Sequence, residues 1–136
     1  MSEDLFTAIY SKFTAAPGGV HNSFYTAASG QMAYSRAPES WTDNFAVIDG
    51  GSSEPDDYYK DELDNINFQV NIFSTVRATC FDLLEKCQAL YDDVALTVTG
   101  HYAATLHRGL RVLPVWNEDD NLWQATIEFD VRLRTS

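Results

Sequence analysis

Two cysteines are the side chains in this sequence with the most direct potential for nucleophilic or redox chemistry. Cys80 and Cys87 lie in a stretch of helical periodicity, two turns apart on one side, which is too far for a disulfide without distortion. A reactive thiol needs a cationic neighbour or a helix N-terminus, and the sequence places neither beside these two. The pattern therefore predicts two buried core thiols.

The three histidines, His21, His101 and His107, are the other side chains that could serve in catalysis or metal binding. His101 and His107 could approach each other across a loop. None of the three belongs to an HExxH motif, a CxxC motif or a paired-carboxylate signature. We therefore expect surface or loop histidines and no metal site.

Carboxylates crowd into residues 49–64, where they could attract a cation. This segment lacks the ordered D-x-[DN]-x-[DN]-G pattern and the closing Glu of a calcium-binding loop. It is typical of a solvated acidic loop, and we expect it to face a channel or a neighbouring protein. Its candidate contact residues are Asp49, Glu54, Asp56, Asp57, Asp61, Glu62 and Asp64.

Motifs for phosphate binding and nucleophilic catalysis are absent from the sequence. The pairs at Gly18 and Gly50 are turn glycines without the helix start that a phosphate loop requires. No G-x-S-x-G pattern positions a serine nucleophile. We therefore expect a protein that is not an enzyme and that holds no cofactor.

The tryptophans and arginines in the C-terminal part of the sequence are suited to a protein–protein interface. Large aromatic residues are over-represented in interface hot spots, although tryptophans beside a turn can instead cap the core from its rim. Arginines on a shared surface could receive the acidic loop of a neighbouring copy, and such a head-to-tail contact closes into a ring when its rotation permits. The candidate subunit-interface residues are Arg108, Arg111, Trp116, Trp123, Arg132 and Arg134.

Length and charge narrow the class of protein further. The chain has 136 residues, 9 Lys and Arg against 20 Asp and Glu, and a formal net charge of −11. This length fits a single domain over residues 1–136. No apolar run is long enough to cross a bilayer, so we expect a soluble protein of a reducing cytosol without membrane contact. The negative charge argues against binding in a nucleic-acid groove.

Hydrophobic periodicity predicts an α+β fold, with a mainly antiparallel (mixed) sheet packed against two helices. The predicted helices cover residues 1–14 and 75–92. A long loop-rich segment with strands covers 20–64, including possible strands at 20–26 and 45–48 and a loop at 49–55. A strand follows at 65–73, and 94–134 holds strands that end in a hairpin. The strand–helix–strand step over 66–98 could close one parallel pair.

Three segments, in their order along the chain, resemble a known family. They are DNINFQVNIFST, ATCFDLLEKCQALYDD and GLRVLPVWNEDDNLWQATIEFDVRL. Together they are similar to the tail-terminator, or tail-completion, proteins of long-tailed bacteriophages, minor tail proteins of the head–tail neck. The resemblance covers residues 64–134 best and the first helix less well. Residues 29–61 are longer and more acidic than the family's compact version.

The resemblance implies a non-enzymatic structural virion protein that caps the head-proximal end of the tail tube. It would stop tube polymerisation as a ring, expected to be a hexamer, and offer the joining surface for the head. The implied partners are copies of itself, the tail tube protein and head-closure or neck proteins. DNA would pass through the ring without sequence-specific binding, in the virion neck after assembly in the host cytoplasm. Alternatives are another neck component (a head-closure or tail-to-head joining protein) and a small-ligand-binding or enzymatic α+β oligomer.

Overall fold

A computed structural model of the chain describes residues 3–56, 63–92, 95–96 and 104–134. The described residues form an α+β fold, as the sequence predicts. Its elements are α1 (Glu3–Thr14), a 3-10 turn (Pro17–Gly19), α2 (Ser23–Ala27), β1 (Met32–Tyr34), β2 (Phe45–Asp56), β3 (Leu63–Ser74), α3 (Arg77–Tyr91), β4 (Ala95–Leu96), β5 (Ala104–Asn117) and β6 (Leu122–Arg134).

The six described strands form one mixed sheet in the order β1-β2-β3-β6-β5-β4. β1 and β2 are parallel, and each of the other neighbouring pairs is antiparallel. The expected parallel pair across residues 66–98 was wrong. β6 pairs with β3 along its whole length, so β3 has no free edge on that side and α3 carries the chain to the far edge of the sheet.

One face of the sheet carries the main core. Apolar residues alternate along β3 and β6, and α3 packs against β3, β5 and β6. The hydroxyl of Tyr91 in α3 donates to the carbonyl oxygen of Ile9 in α1 at 2.9 Å, which ties the two helices together. The buried residues of these two strands and α3 are Phe68, Val70, Ile72, Ala125, Ile127, Phe129, Val131, Cys80, Leu83, Leu84, Cys87 and Tyr91.

Residues 20–26 do not form the predicted strand. The side chain of Asn22 accepts a hydrogen bond from the Tyr25 amide at 2.8 Å and begins the short helix α2 instead. An asparagine at this position satisfies one of the unpaired amides of the first helical turn. Phe24 is buried in the core, so the helix is held by both its cap and its packing.

Residues 49–55 do not form the predicted loop either. β2 continues to Asp56 and pairs with β3 as far as Asp56 opposite Leu63. The register shifts between Gly50 and Ser53, so one bulge absorbs the glycine- and serine-rich run while the ladder continues. Glu54, Asp56 and Asp64 are therefore strand residues, whereas Asp57, Asp61 and Glu62 lie outside the described residues.

Candidate functional site

The sheet face opposite the helices, called the open face below, is lined by polar side chains of β2, β3 and β6. Asn71 is at its centre and is only 7% exposed. Its amide nitrogen donates to Asp49 Oδ2 at 2.7 Å, and its amide oxygen accepts from Thr126 Oγ1 at 2.7 Å and from Gln124 Nε2 at 3.3 Å. One asparagine therefore joins three strands and has a partner for both ends of its amide.

This network continues to the turn between β5 and β6. Asn117 Nδ2 donates to Gln124 Oε1 at 3.0 Å and to Asp120 Oδ2 at 3.1 Å. The Asn117 side-chain oxygen accepts from the amides of Asp119 and Asp120, which shapes the turn. The polar hub of the sheet and the acidic turn are therefore connected through Asn117 and Gln124.

A cleft of about 690 Å³ opens on this face, between residues 35–42 and the turn at 119–121. Phe45, Val47 and Leu122 form a small buried cluster at its floor, and Trp41 and Phe73 pack against them. The rings of Phe45 and Phe73 stack with their centroids 4.9 Å apart. The lining contains no histidine or cysteine among the described residues.

The wall at residues 35–44 is anchored to the start of α3. Asp43 Oδ1 accepts a hydrogen bond from the Thr75 amide at 2.9 Å, and Ser74 Oγ donates to Asn44 Oδ1 at 2.8 Å. The N-cap of α3 is Val76, so neither Ser74 nor Thr75 caps this helix. The Ser74 hydroxyl instead holds the cleft wall against the sheet.

Among the predicted acidic contact residues, Asp49 is the one whose side chain is described. It lines the cleft and accepts from Asn71, so its carboxylate is part of the sheet network. Two acids outside the predicted set, Asp119 and Asp120, lie at the cleft through the β5–β6 turn. The acidic rim of the cleft is therefore assembled from two distant parts of the sequence.

The two tryptophans that flank this turn meet in space. Their rings are T-shaped with centroids 5.6 Å apart. Trp123 packs against the core with the Arg77 guanidinium 5.9 Å from its ring centroid, whereas Trp116 is 46% exposed. Trp123 is therefore a rim residue of the core, and Trp116 presents apolar surface outward.

The predicted arginines lie in different environments. Arg108 is exposed, and its backbone amide donates to Asp92 Oδ1 at 3.1 Å. Arg132 and Arg134 are opposite Asn65 and Leu63 in the β3–β6 ladder, and their side chains lie outside the described set. An interface role for these arginines stays a prediction.

Arg111 is held by its own chain. Its Nη1 atom donates to Glu85 Oε1 at 2.7 Å and to Gln88 Oε1 at 2.8 Å, which fastens β5 to α3. We expect Arg111→Ala to lower the free energy of unfolding by about 1 kcal/mol, a modest loss because the ion pair is partly exposed. Urea denaturation measures it, with Arg108→Ala as the matched control. Equal losses in the two variants would contradict a structural role for the Arg111 contacts.

Sequence reasoning missed an apolar surface on β5. β4 pairs with the outer edge of β5 only at Ala104 and Thr105, and no described strand pairs with this edge farther along. Two register shifts against β6, after Arg108 and after Val112, interrupt the alternation of faces. The apolar edge, as we name it, consists of the exposed side chains of Leu110, Val112, Leu113, Val115 and Trp116, with Phe81 of α3 beside them.

The signal that could have revealed this edge is the run LRVLPVW. It places apolar residues at neighbouring positions instead of every second one, so apolar side chains must point to both faces of the strand. Pro114 within the run is typical of an edge strand or a bulge. The register shift between Val112 and Val115 gives the bulge.

Both cysteines are free and buried, as the sequence predicts. Cys80 Sγ lies 3.6 Å from the carbonyl oxygens of Ile72 and Trp123. Burial raises the pKa of the Cys80 thiol to about 11, and it raises the pKa of Cys87 further. Both thiols are therefore protonated at neutral pH and shielded from reagents.

We expect both thiols to react with a soluble disulfide reagent at pH 8 at least about 100-fold more slowly in the folded protein than in urea, because thiolate is the reacting form. Folding also raises the pKa of both thiols. The two buried thiols therefore contribute their full stabilisation of the fold below pH 9.0, the ordinary thiol pKa, and this contribution is lost as pH rises above that value. Absorbance of the released thiolate measures the rates, and Cys80→Ala and Cys87→Ala assign them. Rapid labelling of the folded protein would contradict this burial.

The described residues offer neither a metal-binding cluster nor a helix suited to crossing a membrane. No group of three or more His, Cys, Asp or Glu there is arranged to hold a metal ion. None of the described helices combines the length and apolar character that membrane crossing requires.

The fold has counterparts among solved structures. No protein-family model matches the chain, and no curated protein matches it. One similar structure is a chain of the virion of a native gene transfer agent particle, with a TM-score of 0.71 and 12% identity over 96% of this chain and 94% of that chain. A second, without a descriptive name, has a TM-score of 0.61 and 13% identity over 98% and 96%. At these identities the similarity shows a shared fold.

Proposed function

We propose that this chain is a structural virion protein that caps the head-proximal end of a phage tail tube. It stops tube polymerisation and offers the surface to which the head or neck joins. The observation that carries the proposal is the fold shared, over 96% of the chain, with a chain of the gene transfer agent virion. The resemblance of residues 64–134 to tail-terminator proteins supports it from the sequence.

The surfaces of the described residues suit a protein that works by assembly. The apolar edge leaves Leu110, Leu113 and Val115 more than half exposed, which is typical of a surface that another protein covers. The cleft on the open face lacks the histidine and cysteine side chains that usually supply a base or a nucleophile. Both features favour contact with other proteins over catalysis.

The acidic balance is compatible with DNA passing through a ring of copies. A net charge of −11 repels phosphate and does not supply the dense cations that bind it. DNA then slides through the channel without being held. The partners we propose are copies of this chain, the tail tube protein below it and the head-closure or neck proteins above it.

A tube-capping experiment tests this function. The purified protein is added to growing tubes of the tail tube protein from the same virion, and tube lengths are measured by negative-stain electron microscopy. We expect elongation to stop and density to appear at one tube end. Continued elongation with bare ends contradicts tail termination. Binding to filled heads in place of tubes would assign the chain to another neck position, as a head-closure or tail-to-head joining protein.

The cleft supports a second candidate function, the binding of a small ligand. Its volume of about 690 Å³ lies within the range of ligand pockets. Thermal-shift measurements with a library of small acids, amines and aromatic compounds test this candidate. A specific ligand that raises the melting temperature and leaves tube growth unaffected would favour it over the virion role.

A further inference from the structure

We propose that neighbouring copies of this chain meet head to tail, with the apolar edge of one copy seated in the cleft of the next. The inference rests on the proposed function and deepens it, because it names the two surfaces that build the assembly. A contact between two different surfaces of the same chain generates a ring when its rotation closes.

The apolar edge needs a cover. Among the described residues, ten large apolar side chains are exposed, and five of them belong to positions 110–116 of β5. Leu110 is 64% exposed, Leu113 52% and Val115 55%. Phe81, at 41%, extends the surface onto α3. Grouped exposure of this kind marks a surface used for association, whereas single exposed apolar residues do not.

A strand of another chain paired to the outer edge of β5 cannot be what covers the apolar edge. Pro114 has no amide to donate, and the register shifts after Arg108 and Val112 break the regular spacing that a new strand would need. The Arg108 amide is already occupied by the Asp92 carboxylate. The contact must therefore be made by side chains, which favours a concave receiving surface.

The cleft on the open face provides such a surface. Part of its floor is apolar, formed by Phe45, Val47 and Leu122 with Phe73 and Trp41 packed against them, and Asn71 and Gln124 line the polar part. Its volume of about 690 Å³ is large enough for several aliphatic side chains. The wall is fixed by the Asp43–Thr75 hydrogen bond, so the cleft exists before a partner arrives.

The charges beside the two surfaces identify a second copy of this chain as the occupant of the cleft. Arg77 and Arg108 flank the apolar edge, and neither has a carboxylate within 4.0 Å of its guanidinium among the described residues. Asp49, Asp119 and Asp120 line the cleft, and Arg36, which also lines it, is paired with Glu39 of the same wall at 3.9 Å. Arginine beside one apolar surface and aspartate beside the other is the complementarity that orients two copies head to tail.

The same charges oppose a symmetric pair. An edge-to-edge dimer would bring Arg77 and Arg108 of one copy towards their equivalents in the other, and like charges repel. Leu113 lies beside Phe81 of α3 on the helix side of the sheet, whereas the cleft lies on the open face over β2, β3 and β6. Val112 and Val115 are opposite Thr126 and Gln124 in the ladder and border the open face. The part of the apolar edge around Leu113 and Phe81 is therefore separate from the cleft on one molecule, as a head-to-tail contact requires.

A mixing experiment tests the contact. The edge variant carries Leu110→Asp with Leu113→Asp, two exposed positions outside the cleft lining, and the cleft variant carries Asp119→Arg with Asp120→Arg. Native mass spectrometry and sedimentation velocity measure assembly. We expect the wild-type protein to form closed oligomers, and each variant alone to associate about 100-fold more weakly because a charge enters one surface.

Mixing the two variants is the decisive step. The edge variant keeps an intact cleft and the cleft variant keeps an intact edge, so one good contact remains between them. We expect a one-to-one pair that grows no further. Val20→Asp, at an apolar position that is 71% exposed outside both surfaces, is the matched control and should assemble as the wild type does.

Three results would overturn the inference: an edge variant that assembles normally, a cleft variant that forms a stable homodimer, or a wild-type chain that stays monomeric at high concentration. Circular dichroism checks folding, and the milder pair Leu110→Ser with Leu113→Ser replaces the edge variant if that one unfolds. If the protein caps tubes but the two variants do not form a pair, the contact is refuted and the function stands. If the two variants form a pair but the protein does not cap tubes, the function alone is refuted.

Discussion

Asn71→Asp is expected to lower the free energy of unfolding at pH 7 by about 3 kcal/mol. Asn71 is 7% exposed and donates to Asp49 Oδ2 at 2.7 Å. The substitution replaces this donor with a second carboxylate oxygen, so two negative charges face each other at a site with little water. The hydrogen bonds from Thr126 and Gln124 end on the other oxygen and do not relieve the repulsion.

The loss should depend on pH. Repulsion raises the pKa of the introduced carboxyl in the folded state, so the folded variant keeps a proton to a higher pH than the unfolded chain does. The deficit is therefore smallest below about pH 4, the ordinary carboxyl value, and grows as pH rises towards neutrality.

Urea denaturation at pH 4 and pH 7 measures this loss. Asn67→Asp is the matched control, because Asn67 makes the equivalent contact with Asp130 at an exposed site. We expect its loss to stay below about 1 kcal/mol. A pH-independent deficit in Asn71→Asp, or equal losses at the two positions, would contradict the role of Asn71 as a buried hub.

Phe129→Ala is expected to have the largest effect on stability, about 3–5 kcal/mol. Phe129 is fully buried in β6, with its ring centroid 5.6 Å from that of Phe68 in β3 and 5.8 Å from that of Tyr91 in α3. Truncation leaves a cavity where the two central strands meet the long helix. These elements pack tightly against one another, so the surrounding side chains cannot fill the cavity without strain.

Chemical denaturation with fluorescence and circular dichroism measures this change. Val112→Ala, on the apolar edge and 39% exposed, is the matched control and should lose less than about 1 kcal/mol. A Phe129→Ala variant as stable as this control would show that the core described around β3, β6 and α3 is not the one that holds the fold.

The elements that sequence predicted best are those whose patterns are local. The alternation in residues 123–133 and the helical spacing of Cys80, Leu83, Leu84 and Cys87 each indicate one face of one element. The structure buries that face at these four helix residues and, in β6, at Ala125, Ile127, Phe129 and Val131. Val76 and Leu90 extend the helical pattern but are not buried. Periodicity therefore identifies a face more reliably than it identifies the residues at its ends.

The errors have non-local causes. Residues 49–55 read as a turn because glycine and serine are weak strand formers, yet a long partner strand and a bulge keep them in the ladder. The parallel pair expected across 66–98 depended on which strand lies beside β3. That position is taken by β6, from the far end of the chain.

The candidate site was predictable only in part. The sequence indicated Trp116 and Trp123 together as interface candidates, which stays a prediction, and their separate environments depend on the register of β5 against β6. The cleft is made by residues 35–42 and the turn at 119–121, which are distant in sequence. The Arg111 contacts with Glu85 and Gln88 join a strand to a helix, and spacing along the chain cannot indicate them.

Pro114 and the two register shifts of β5 have a consequence for the free chain in solution. A long apolar strand at the border of a sheet is normally a template for aggregation, since free chains can stack on it through their backbones. The missing amide and the broken spacing block that route while the apolar side chains stay accessible. The free chain can therefore keep an apolar surface accessible without offering a regular strand edge on which fibres grow.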